Sequence, residues 1–379
     1  MSNKNLMIIA GEISGDLHGS NLVSELLKID PALNIYGIGG DKMKAAGMQL
    51  TYHINKMAFL GFAEVVKHIP FIRRVQKELM NIIRNKKIDT VVLIDYPGFN
   101  LSIAKKIKKP GVKIIYYISP QIWAWGGSRI NKIRSLVDKM LVVFPFEEKL
   151  YNDNGVNVEF VGHPLLERIQ EYNFLSKEKL FEKYNLEKGK EILLLLAGSR
   201  EHEVKSIFPE VIKAAAKTAN EFDMQIVAAC SSNIDENVFK GLTEIKNFTV
   251  IRGHTYDLLK HSKFGIIKSG TSTLEAGLFE LPMVIVYKTS LLTYAIGRRL
   301  IKVDRIGMVN IISGQKIVPE LIQSEVNENS IYNECRAILA DSNNYNSIKQ
   351  KLGLIKEKLG TEGASARAAS LINKVMNET

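Results

Sequence analysis

Cysteine and tryptophan are scarce in this 379-residue chain, with two of each. Cys230 and Cys335 stand far apart and no Cys-X-X-Cys occurs, which argues against a disulfide framework or a zinc site and leaves both thiols as packing residues. No apolar run approaches the roughly 18 residues that a membrane-spanning helix needs. Helix-turn-helix, zinc-finger and ribonucleoprotein signatures are all missing, so nucleic acid is not expected as a partner. The chain also lacks an Asp-X-Asp, the usual holder of a divalent metal on a diphosphate, and a P-loop, whose lysine and Ser/Thr serve phosphoryl transfer. Gly37-Ile38-Gly39-Gly40 lacks the third glycine of a dinucleotide fingerprint, and the turn after the first strand is not one either, which disfavours NAD chemistry. Neither a metal nor a cofactor is expected.

What is present is an ordinary globular composition, 46% hydrophobic and 24% charged, long enough for two domains. The net charge of +11 favours acidic partners, among them an anionic lipid surface or a phosphorylated substrate. A strand at Leu6–Ala10 leaves no room ahead of it for a signal peptide, and the expectation is a cytoplasmic protein.

The most informative stretch is Lys268 to Gly277, Lys-Ser-Gly-Thr-Ser-Thr-Leu-Glu-Ala-Gly, after the apolar run Phe264–Ile267. It reads as strand, tight turn and helix start. Ser269, Gly270, Thr271 and Ser272 then offer backbone N–H groups and hydroxyls to a phosphate, while Glu275, of the wrong charge for phosphate, suits the two hydroxyls of a ribose. Ordinary N-capping explains the same residues equally well. A serine-hydrolase elbow fails, because Leu274 stands where its second glycine belongs.

Taken in order, the first strand ends in Gly11-Glu12-Ile13-Ser14-Gly15-Asp16, where Glu12, Ser14 and Asp16 offer acceptors suited to sugar hydroxyls, or equally form the capped first βα turn of a doubly wound sheet. Between Met57 and Lys77, Phe62, Val65, Val66, Ile69 and Ile72 share a helical stripe beside Lys67, Arg73, Arg74 and Lys77. Such a segment can lie on an anionic membrane, or equally face a core with a solvated basic edge. The apolar run Ile88–Ile94 ends in Asp95-Tyr96-Pro97-Gly98-Phe99-Asn100, which makes Asp95 a candidate general base or a turn-forming acid. Trp123 and Trp125 follow the strand Val112–Ile118 in a loop and suit a sugar face or an acyl chain, with a packed loop as the alternative. His163, beside Pro164, reads as a capping residue.

A second alternation of strands and helices begins at Ile192 and ends its first strand in Gly198-Ser199-Arg200. The guanidinium of Arg200 can grip two phosphate oxygens, so two strand ends of this domain point at one diphosphate. Tyr294–Lys302 is another basic amphipathic stretch, with Arg298, Arg299 and Lys302. The expected division is residues 1–165 for an acceptor domain, 166–188 for a linker and helix, 189–345 for a nucleotide domain, and 346–379 for helices packing back on the first domain. Two Rossmann-like α/β domains facing a cleft, a diphosphate site without metal and an acid at a strand end describe glycosyl transfer.

The motif series Gly11–Asp16, Asp95–Asn100, Ser119-Pro120 with Trp123-Ala124-Trp125, Gly162-His163-Pro164, Gly198–Arg200, Ser269–Glu275 and Met283–Lys288 resembles that of bacterial lipid-A-disaccharide synthases, in order as far as about Gln323. The resemblance implies a GT-B fold and a peripheral, metal-independent, inverting enzyme at the inner face of the inner membrane. It implies transfer of 2,3-diacylglucosamine from UDP-2,3-diacylglucosamine to the 6-hydroxyl of 2,3-diacylglucosamine 1-phosphate (lipid X), giving the β-1,6 lipid A disaccharide and UDP. In its terms Asp95 matches the base, Arg200 the diphosphate arginine, Glu275 the ribose position, and Asn310 the asparagine of a Leu-Pro-Asn motif whose proline is missing here. Gly98 replaces a second acid that the family often carries, and Ala197 a usual proline. Oligomeric state stays open. The rival readings are another UDP-sugar enzyme of the same architecture, such as a peptidoglycan-precursor transferase or a UDP-N-acetylglucosamine 2-epimerase, and a non-catalytic lipid or nucleotide carrier.

Overall fold

A computed structural model describes residues 4–57, 68–108, 111–123, 129–290, 294 and 305–378. Trp125, the Phe62–Lys67 part of the first basic stretch, and Arg298, Arg299 and Lys302 of the second lie outside these residues. Two units divide the chain: Met1–Glu167 with Leu359–Thr379, and Arg168–Lys358. The chain therefore passes between them twice.

The first unit holds β1 (Asn5–Ala10), β2 (Asn34–Gly39), β3 (Gln49–His53), β4 (Thr90–Ile94), β5 (Lys113–Tyr117), β6 (Lys139–Val142) and β7 (Val158–Phe160). They form one sheet in the order β3-β2-β1-β4-β5-β6-β7, every pair parallel. Continuous apolar sequence is what such a sheet requires, because helices cover both faces. Leu6 to Ala10 and Val91 to Ile94 are accordingly all buried. On one face, Met7, Ile9, Val91, Leu93 and Tyr116 join Val75, Leu79 and Ile83 of the helix Ile69–Asn85 in a single core. That helix thus turns a core-facing edge inward while Arg73, Arg74 and Lys77 stay exposed.

The second unit repeats the plan with β8 (Glu191–Leu196), β9 (Met224–Cys230), β10 (Thr249–Arg252), β11 (Ser262–Lys268), β12 (Met283–Tyr287) and β13 (Glu320–Ile322), ordered β10-β9-β8-β11-β12-β13 and again parallel. In both sheets the order reverses once, between β1 and β4 and between β8 and β11. The crevice beyond the carboxyl ends of strands at such a reversal is where open α/β sheets bind ligands.

Of the C-terminal helices, Ser342–Lys358 packs within the second unit, so the segment that rejoins the first begins at Leu359 rather than at residue 346. The helix Ala364–Asn377 lies against the helix Ile13–Ile29 and β5. Its start is fixed by Glu167, whose carboxylate accepts from the Ser365 backbone N–H (2.8 Å) and hydroxyl (2.7 Å). Among the described residues no helix is long and apolar enough to cross a membrane.

Candidate active site

In the first unit the reversal brings the turns after β1 and β4 side by side. Asp95 and Tyr96 both adopt left-handed backbone, with φ of 43° and 47°. Each such residue costs on the order of 1–3 kcal/mol unless its surroundings enforce it. Here they do: the Asp95 carbonyl accepts from Asn100 Nδ2 (2.7 Å) and from the Tyr116 hydroxyl (2.5 Å), and Asn100 Nδ2 also reaches the Ile94 carbonyl at 3.1 Å. Pro97 then starts the helix Pro97–Ile107, and the Tyr96 hydroxyl donates to the Met57 carbonyl at 2.9 Å. Gly11 lies under the Tyr96 ring, where an added Cβ would stand 2.1 Å from Tyr96 Cδ1. Burial pushes the Asp95 carboxyl up to about 6, and the charge of Glu12 adds to the rise against the Tyr96 backbone N–H.

Glu12 and Ser14 are exposed at the start of the helix Ile13–Ile29. Asp16 is not available to a sugar. Its carboxylate is 5% exposed and accepts from the backbone N–H groups of Gly40 (2.6 Å), Met43 (3.0 Å) and Lys42 (3.2 Å), capping the helix Asp41–Ala45.

Trp123 is tied down rather than splayed. Its Nε1 donates to Glu147 Oε1 at 3.2 Å and its ring meets Phe146 edge to face. The same oxygen accepts from Ser119 Oγ at 2.6 Å, and Oε2 from the Phe144 N–H at 3.3 Å. Burial lifts the Glu147 carboxyl to about 7 against these hydrogen bonds. Sequence reasoning missed Glu147; its only signal was the third position of a helix opened by Pro145. His163 Nδ1 accepts from the Leu165 N–H at 3.1 Å, and burial lowers its pKa to about 3, so it is a neutral cap.

In the second unit Gly198, with φ of 144°, turns the chain from β8 into the helix Glu201–Glu221, whose N-cap is Arg200. The Arg200 side chain is 56% exposed. Across the reversal β11 ends at Lys268, and Gly270, with φ of 152°, opens the helix Thr271–Leu278. Thr271 is exposed and Ser272 half-buried at that N-terminus, where unsatisfied N–H groups favour an anion. Glu275 accepts from the Tyr256 hydroxyl at 3.1 Å; burial raises its pKa, with Arg168 acting in the opposite direction.

Two expected ligands are framework instead. Ser269 Oγ donates to the Ile306 carbonyl at 2.7 Å and is buried. Asn310 is fully buried, giving Nδ2 to Val318 O (2.9 Å) and Glu320 Oε1 (2.8 Å) and accepting from the N–H groups of Ile317 (2.7 Å) and Val318 (3.1 Å). Both types serve binding and bracing alike, and nothing local in sequence separates the two uses. Sequence reasoning also passed over Glu203. Its carboxylate joins Lys268 Nζ (2.9 Å) to the Ser199 N–H (3.1 Å).

The first unit thus presents a carboxylate of raised proton affinity, and the second an arginine and a helix N-terminus suited to a diphosphate. A family model described as lipid-A-disaccharide synthetase matches residues 6–375. A lipid-A-disaccharide synthase of Geobacter sulfurreducens is 39% identical over 376 residues, covering 98% of this chain and 97% of that protein. One from Syntrophus aciditrophicus is 41% identical over 373 residues, covering 97% of each. Among solved structures, the UDP-GlcNAc 2-epimerase of Neisseria meningitidis bound to UDP-GlcNAc superposes with a TM-score of 0.67 at 12% identity, over 98% of this chain and 100% of that one. At that identity the likeness is one of fold.

Proposed function

The chain belongs to the lipid-A-disaccharide synthase family, and from that premise we propose that it transfers 2,3-diacylglucosamine from UDP to the 6-hydroxyl of lipid X, with inversion and without a metal. The observation that carries the reading is Asp95, held by strained but well-braced backbone at the sheet's reversal and raised to about 6. A base of that affinity is ionised at neutral pH and takes a proton more readily than an ordinary carboxylate.

Asp95 removes the proton of the acceptor hydroxyl as its oxygen attacks the anomeric carbon. The bond to the UDP oxygen breaks on the opposite face. The charge gathering on the diphosphate is met by Arg200 and by the N-terminus of the helix Thr271–Leu278. Glu275 takes the ribose hydroxyls, and Glu12 and Ser14 the acceptor sugar. The protein works on an anionic membrane surface, in keeping with its net charge of +11 and the exposed Arg73 and Arg74.

The test is release of UDP from UDP-2,3-diacylglucosamine, with and without lipid X, in detergent and excess EDTA. Acceptor-dependent release with a disaccharide product is expected. Conversion of the donor without acceptor would indicate an epimerase on the same fold, and a strict divalent requirement would overturn the metal-free scheme.

A further inference from the structure

The carboxylate of Glu203 and the ammonium of Lys268 come from opposite sides of the β8–β11 reversal and are 2.9 Å apart, with side chains only 11% and 20% exposed. Lys268 is the last residue of β11; Glu203 lies in the first turn of the helix that follows β8. A glutamate at this helix position ordinarily reaches back to the N-cap N–H. Here it reaches one residue further, to Ser199 at 3.1 Å. It fits there because residue 198 is glycine: an added Cβ would stand 2.7 Å from Glu203 Cβ and 2.8 Å from Oε2. The carboxylate therefore runs alongside the turn, while the Arg200 guanidinium, 4.0 Å from Oε1, keeps 56% exposure.

We propose that Glu203 and Lys268 form an internal strap, tying the turn after β8 to the end of β11 and thereby setting Arg200 and Ser199 for the diphosphate of the nucleotide. This rests on the reading of the second unit as the UDP site. An acid so near an anion's contacts needs a reason. Lys268 supplies it by cancelling the charge, which leaves the geometric effect of the pair. Burial acts to raise the Glu203 carboxyl, yet Lys268, the Ser199 N–H and Arg200 bring it below its ordinary value, in keeping with a standing ion pair. Glu203 is thus a positioning residue, acting on substrate through Ser199 and Arg200.

The experiment measures UDP binding by calorimetry and uridine binding by ligand-observed NMR, on the full chain and on Glu203→Ala, Glu203→Gln, Lys268→Met and the Glu203→Gln/Lys268→Met double variant. Loss of the strap should weaken UDP about tenfold and uridine less than about twofold, because only the diphosphate meets the displaced groups. Glu203→Gln, which keeps an acceptor for Ser199, should lose less than Glu203→Ala, and the double variant no more than Lys268→Met. Should Glu203→Ala fail to fold, Lys268→Met removes the same strap from the strand side. Unchanged or tighter UDP binding in the folded single variants, or equal weakening of UDP and uridine, would overturn the proposal. Failure of the unaltered protein to bind UDP would overturn the nucleotide reading beneath it.

Discussion

Asp95 keeps its charge against the pull of its surroundings. Its folded pKa of about 6 lies above the ordinary 3.8, so its contribution to stability is complete below about 3.8 and is lost as pH rises through about 6. Asp95→Asn, which does not titrate, should therefore gain on the unaltered protein across that window, by about 3 kcal/mol at pH 7.5, in urea melts compared with pH 4. Its turnover should drop by about two to four orders of magnitude with UDP affinity intact, and the acidic limb of the kcat/KM profile of the unaltered enzyme should lie near pH 6. Gly11→Ala would force the Tyr96 ring aside and should lower kcat about tenfold or more while sparing UDP affinity. The places of Asp95, Arg200 and Glu275 at strand ends and helix starts were legible from the sequence, because an apolar run followed by a turn marks where a strand stops. The work of Asp16, Ser269 and Asn310 was not, since their partners come from elsewhere in the chain.

The central strands could be read from unbroken apolar runs, because a parallel strand covered on both faces admits little else. β3 and β13 could not. Each lies at a sheet edge, with polar residues such as Gln49, Thr51 and Glu320 in a short span, and an edge needs no apolar run. What fixes the start of the helix Ala364–Asn377 was hidden for another reason: its partner, Glu167, is remote in sequence. Glu167→Ala leaves the Ser365 N–H and hydroxyl without that acceptor and should cost about 1–3 kcal/mol in urea unfolding. Limited proteolysis should then cut this helix first, whereas the same change at exposed Glu171 should do neither.

At the scale of the whole molecule, the strand order of the second sheet repeats that of the first six strands of the first, and the candidate site loops of each unit lie at its own reversal. The positive charge belongs to this scale as well. Arg73→Glu with Arg74→Glu should reduce binding to vesicles containing anionic lipid and flatten its dependence on salt, with acceptor-dependent turnover in detergent preserved. Vesicle binding unchanged by both substitutions would assign the helix Ile69–Asn85 to the core alone. The chain's two passages between units also set an order of events at the ribosome. The second unit is one continuous stretch and can close as soon as it emerges. The first must wait through the synthesis of residues 168–358, a delay of roughly 10–40 s at ordinary elongation rates, before Leu359–Thr379 arrives to cover the helix Ile13–Ile29. The unit that carries the acid is begun first and finished last.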